Sequence, residues 1–245
     1  MCTLSWRTLP QGYEVYFNRD ELRTRPRALF PTVRASDDAC GNDRVRYLAP
    51  TDPSGGGTWI LVNQAGLTLC LLNGYLEPAA DGLNDFRSRG LLVADLAGCR
   101  NQDEVGACTA RLVAAAPYRS FNLVAFRPDI EPRAWGWSGA DGQLGLLEVK
   151  APMSSSSLDP DAALRLRRNL RGSQPEPDTE EALLALHRAH EGGPRELAPC
   201  MHRADARTVS LTRVRVTAET ASMEYAPGPP CRTPLNTPVL LELAR

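Results

Sequence analysis

Apolar and polar residues alternate from the start of the chain. In "CTLSW", Cys2, Leu4 and Trp6 share one face of an extended segment, and Thr3 and Ser5 share the other. After the turn-forming "RTLPQG", the segment "YEVYF" alternates again, with Tyr13, Val15 and Phe17 on one side. Two runs of period two around a loop bearing Pro10 and Gly12 predict a β-hairpin. Hairpin strands are antiparallel, so the end of the second returns beside the start of the first. The tetrad Asn18, Arg19, Asp20 and Glu21 is therefore expected next to Cys2 in space.

Residues 24–57 are rich in Arg, Pro, Asp and Gly and predict a long irregular excursion. Residues 58–73 carry two apolar runs around "QAG", a second hairpin whose near-continuous hydrophobicity suits strands covered on both faces. Helical patterns follow over 85–98 and 101–115, then strands over 121–126, 134–137 and 144–150. Two further helices, over 154–170 and 178–191, open on capping-type residues and flank an exposed linker, "RGSQPEPD". Strands return at 208–217, 221–226 and 239–244, the last two separated by the Pro-rich "PGPPCRTPLNTP". This order predicts one α+β domain over residues 1–245, with antiparallel sheets packed together and helices outside.

Composition narrows the function classes. The chain has 245 residues, 42% hydrophobic and 23% charged, enough to bury a substantial core. Its 28 basic and 29 acidic residues leave a net charge of −1, which gives no general attraction to nucleic acid or to an anionic membrane. No apolar stretch reaches the length of a membrane span, and the first residues lack the apolar core of a signal peptide. Seven cysteines show no paired spacing, so reduced thiols, a reducing compartment and a cytoplasmic location are expected.

Cys2 carries the sharpest chemistry. Removal of the initiator methionine is common before a small residue, and it would leave Cys2 with both a thiol and a free α-amine. An α-amine of pKa about 7.7–8.0 can accept the thiol proton near neutrality, so one residue holds nucleophile and base. Arg19 beside it would favour the thiolate, and Asp20 would hold the amine by a hydrogen bond. The bland alternative is an incidental thiol beside a polar strand end.

The segments "MCTL", "NRDE", "GGGTWILVNQAG", "LLN" and "SRGLLV", in this order, resemble the NRDE family, the second of the transport-and-Golgi-organisation protein families. The resemblance is strong over roughly residues 1–95 and patchier beyond, where "FNLVAF", "SSSSLD" and "CMHRADARTVSL" are similar to weaker family blocks. The chain departs from the family at "LDPDAALRL" and at "ADARTVS". The family is similar to the N-terminal-nucleophile hydrolases, which implies a four-layer αββα sandwich. Likeness to their cysteine branch, the bile-salt hydrolases and penicillin V acylases, implies Cys2 as nucleophile, Arg19 and Asp20 beside it, and Asn73 as oxyanion donor. It also offers Arg207 as a late arginine of the site, against the reading of Arg207 as a surface residue. Adjacent strand residues point to opposite faces, so Arg19 and Asp20 both reach Cys2 only where the strand ends or bulges.

Other candidates carry bland alternatives. Asn73 can equally begin a turn with Gly74, and Asn122 can be a strand-edge residue. Asn18 and Trp59 are candidate substrate contacts, Trp59 following a Gly-rich loop that lets backbone approach a cleft. His187 and His190 lie at i, i+3 spacing without a third ligand in sequence reach, so a solvated helix face is expected there. Cys200 and His202 in "CMH" could bind a metal or haem iron, but a buried structural pair is the favoured reading, and "RLRRNLR" reads as a solvated helix. No cofactor and no metal is implied. Two functions follow: an amidohydrolase or acyl-transfer enzyme acting on a small-molecule amide or thioester, and a non-catalytic carrier of a haem-like, acyl-CoA or lipid ligand, which the family resemblance suggests.

Overall fold

The computed structural model describes residues 2–37, 39–41, 44–75, 86–128, 130–139 and 142–244. Strands β1 (Cys2–Leu9) and β2 (Gly12–Leu22) form the first hairpin, with Cys2 directly opposite Arg19 and Thr3 opposite Asn18. Gly12 permits its tight turn, because a Cβ there would lie 2.0 Å from the Val216 carbonyl oxygen. Next come β3 (Leu29–Ala35), β4 (Arg46–Thr51), β5 (Ile60–Asn63) and β6 (Thr68–Asn73). Helices α1 (Arg89–Asp95) and α2 (Gln102–Ala115) precede β7 (Phe121–Arg127), β8 (Ile130–Trp137), β9 (Leu144–Leu147) and β10 (Met153–Ser155). Helices α3 (Pro160–Gly172) and α4 (Glu180–Arg188) then lead to β11 (Ala206–Val216), β12 (Thr220–Ala226) and β13 (Val239–Glu242).

The strands make two antiparallel sheets. The first runs β10-β1-β2-β11-β12-β13 and the second β3-β4-β5-β6-β7-β8-β9. Strand alternation builds the layers. Leu4, Val15, Phe17 and Val214 of the first sheet meet Val62, Leu72 and Val124 of the second in a central core. On the outer face of the second sheet, Leu61, Leu69, Leu71 and Leu123 pack on Leu92, Leu96 and Val105 of the α1–α2 layer. On the outer face of the first, Tyr16 and Leu211 pack on Leu183 of α4. The result is the expected α+β, four-layer αββα sandwich. No helix among the described residues is long and apolar enough to cross a membrane.

Three expectations are corrected. Residues 24–57 are not a single irregular excursion, because β3 and β4 extend the second sheet there. Their charged and Pro-bearing pattern fits an edge: β3 is the outermost strand, Pro31 lies within it, and its pairing slips between Leu29 and Thr32. Residues 153–155 form β10 beside β1 rather than the start of a helix. The cysteines are not all reduced, since Cys40 and Cys108 form a disulfide that ties the loop after β3 to α2 across 68 residues. No local spacing signals a bridge over that distance. The expected start of the first helix, at residue 85, lies outside the described residues.

Candidate active site

Cys2 opens β1 between two neighbours, Arg19 on β2 and Ser155 on β10. It is buried, and burial pushes its thiol pKa up; the nearby Asp20 charge acts in the same direction. The backbone N–H of Asp20 hydrogen-bonds the Cys2 sulfur, which partly offsets the rise. Cys2 lines a cleft of about 240 Å³ together with Arg19, Glu21, Asp52, Trp59 and Asn73.

Arg19 does not stand free over the thiol. Its Nη2 lies 3.1 Å from Glu21 Oε1 and 3.1 Å from Asp52 Oδ2, and its guanidinium stacks 4.3 Å from the Trp59 ring centre. Asp52 also pairs with Arg25. Burial opposes the Asp52 charge, but the hydrogen bond from Arg25 and the charge of Arg19 outweigh it and lower its pKa.

Asp20 faces differently, and β11 shows how. The β2–β11 register slips between Thr208 and Ser210, with Arg19 opposite Ser210 and Asp20 opposite Thr208. An irregularity of this kind re-aims side chains locally. Asp20 lines a second cleft, of about 160 Å³, that shares Asn73 and Glu21 with the first. Its Oδ1 accepts from Thr208 Oγ1 at 2.5 Å, and its Oδ2 is buried without a hydrogen-bond partner among the described residues. Burial raises its pKa to about 6, against the lowering effects of Thr208 and of Arg167.

Arg167 lies on α3, within the helix expected to be solvated, yet it is fully buried. It donates from Nε to Thr3 Oγ1 at 2.7 Å and from Nη1 to the carbonyls of Ala163 and Leu197. Burial lowers its pKa to about 10, and Asp20 and Cys2 pull it back up. His187 is likewise buried rather than solvated, with Nε2 2.8 Å from Ser5 Oγ and its ring stacked on Tyr16. Burial, then the charge of Arg167, lowers its pKa to about 3, so it is neutral.

The remaining candidates separate into two groups. Asn73 and Trp59 border the Cys2 cleft. Asn18 is fully buried and donates to the carbonyls of His187 and Pro199, tying α4 and the segment before β11 to the sheet. Asn122 pairs with Leu72 and Gly136, and Arg207 sits opposite Glu21; neither lines either cleft. Residue-level reasoning missed Asp52, Tyr75, Arg167 and Thr208. The Tyr75 hydroxyl hydrogen-bonds the Asn73 side chain, and burial followed by the charge of Cys2 pushes its pKa up to about 12. Arg167 had a signal: it falls one turn after Ala163, on the face that α3 buries.

Comparison with known proteins agrees with this fold. A variant of conjugated bile acid hydrolase from Clostridium perfringens superposes with a TM-score of 0.53 at 10% identity, covering 99% of this chain and 92% of that one. The N-acylethanolamine-hydrolyzing acid amidase ortholog of Caenorhabditis elegans gives 0.49 at 13% identity, covering 86% and 91%. No curated protein matches the sequence. A family model does, over residues 1–140, and on that match the chain belongs to the Transport and Golgi organisation 2 family.

Proposed function

We propose that the chain is a cysteine amidohydrolase or acyl-transfer enzyme of the N-terminal-nucleophile type, acting on a linear amide or thioester. The observation that carries this reading is a buried Asp20 carboxyl with an unpartnered Oδ2 beside the cleft-lining Cys2. A buried carboxylate oxygen without a donor is costly. The α-ammonium that Met1 removal would expose on Cys2 is a donor whose chemistry answers it.

In this mechanism the Cys2 sulfur forms a bond to the substrate carbonyl carbon while its proton passes to the α-amine. The carbonyl oxygen takes the negative charge and accepts a hydrogen bond from the Asn73 side-chain amide. Collapse breaks the C–N or C–S bond, the α-ammonium protonates the leaving group, and an acyl thioester remains on Cys2. Water, giving its proton to the same amine, then releases the acid and restores the thiol. Arg25, Arg87, Arg89 and Arg119 border the cleft, which suits a substrate bearing an anionic group away from the scissile bond.

One observation favours a second reading, a carrier using the same cleft for a haem-like, acyl-CoA or lipid ligand. Arg19 is engaged by Asp52 and Glu21, and the Cys2 pKa is raised rather than lowered. A panel of linear amides and acyl thioesters assayed with wild type and Cys2→Ala separates the two. The enzyme reading expects turnover lost in Cys2→Ala by at least about a thousandfold. Turnover unchanged in Cys2→Ala, or stoichiometric ligand binding without turnover in both proteins, contradicts it.

A further inference from the structure

A second cluster of nucleophilic side chains lies outside both clefts, where the end of α4, the segment leading into β11 and the β12–β13 loop meet. His202 is its centre. Its Nε2 is 3.3 Å from Cys231 Sγ and 3.6 Å from Cys200 Sγ. The His190 ring stands edge-on to the His202 ring with centroids 5.5 Å apart. One ligand atom each from His190, His202 and Cys231 lies within 4.8 Å of the others, while Cys200 stands outside that group and joins it through His202.

We propose that Cys200, His202 and Cys231, completed by His190, form a tetrahedral binding site for a thiophilic divalent ion of the zinc class. With Zn–S of about 2.3 Å and Zn–N of about 2.05 Å, a tetrahedral centre has a sulfur–nitrogen edge of about 3.6 Å. The two sulfur–nitrogen separations around His202 match that edge to within a few tenths of an ångström. His190 is oriented for the role: its Nδ1 lies 3.0 Å from the Arg188 carbonyl, which can only accept. Nδ1 therefore carries the proton and Nε2 keeps its lone pair, the arrangement that backbone carbonyls impose on metal-ligating histidines. Two thiolates and two imidazoles are a donor set of closed, structural zinc sites. Binding displaces both thiol protons. The two thiolates then cancel the ion's charge, leaving a neutral centre beside Arg23, Arg195 and Arg232, which surround His202.

The site has a consequence for Asp20. Cys200 and His202 flank Met201, whose backbone N–H donates to Thr208 Oγ1 at 2.8 Å, and that hydroxyl donates to Asp20 Oδ1. The neighbouring Pro199 carbonyl accepts from Asn18. An ion here fastens the segment before β11 to α4 and to the Pro-rich loop, and so fixes the wall that holds Asp20.

The test uses the full chain purified under reducing conditions, reconstituted with zinc and, separately, with cobalt(II). The proposal expects about one metal per chain by elemental analysis. It also expects the intense visible bands of tetrahedral cobalt, a sulfur-to-cobalt charge-transfer band, and a melting temperature that falls on chelation. His202→Ala and Cys231→Ser should each remove the stoichiometric metal and the chelator sensitivity. A folded wild type that takes up no metal, or gives only the weak bands of octahedral cobalt, overturns the proposal without any variant. Uptake unchanged in both variants also overturns it.

Discussion

Asp20 and His187 are both buried titratable side chains, and burial moves them in opposite senses. The folded chain holds a proton on Asp20 up to about pH 6, whereas the unfolded carboxyl releases it near 3.8. Stability therefore falls as pH rises through that window, and the ionised carboxylate costs stability at neutral pH. While Met1 is retained, Asp20→Asn should raise neutral-pH stability by about 1–3 kcal/mol and lose that gain below about pH 4; in the chain lacking Met1, where the Cys2 α-ammonium pairs with the carboxylate, the same variant should abolish turnover. Denaturation at pH 7.5 and pH 3.5 checks this, and a variant destabilised at pH 7.5 contradicts it. For His187 the unfolded ring binds a proton near 6.5 and the folded ring only near 3. Its contribution is present above 6.5 and is lost as pH falls towards 3. His187→Gln should flatten the acid limb of the stability–pH curve between those values. An unchanged slope in denaturation midpoints would remove His187 as its source.

At the scale of elements, the cleft depends on how closely α1 approaches the loop before β5. A Cβ on Gly57 would lie 2.1 Å from the Gly90 carbonyl carbon, and the Thr58 N–H bonds the Gly90 carbonyl at 3.0 Å. Gly57→Ala should therefore displace the start of α1, costing about 1–3 kcal/mol and weakening substrate binding at the Ser88–Arg89 wall. Gly145→Ala in β9 meets nothing within 4 Å and serves as the neutral control. Equal melting temperatures for the two variants would contradict this account. The Gly-rich run was legible as a loop permitting close approach because glycine alone lacks the atom that would clash. The first hairpin was legible because its alternation is strict and its turn carries Pro10 and Gly12. β3 and β4 were not, because Pro31 and Pro50 interrupt their runs and sheet pairing rather than their own periodicity holds them.

Across the whole molecule, the first sheet delivers residues distant in sequence to one end of β2. Cys2, Arg19 and Asp20 could be grouped from the sequence, since a single hairpin joins them. Asp52 and Arg167 could not, because their approach depends on sheet order and on the seating of α3 against Thr3. Thr208 was hidden for another reason: it sits in "ADARTVS", where the chain departs from its family, yet it supplies the hydrogen bond to Asp20 that positions the carboxyl. That hydroxyl shows the surroundings of the late strand engaged with the site although Arg207 itself lies outside both clefts.

The most direct measurement is the intact mass of the purified protein before and after a short exposure to an activated acyl thioester, with peptide mapping of the product. The account predicts a chain lacking Met1, a single acyl group added at the new amino-terminal Cys2, and loss of that adduct on standing in buffer. A chain that keeps Met1, or that is acylated on other thiols while Cys2 stays unmodified, would contradict a nucleophile at Cys2.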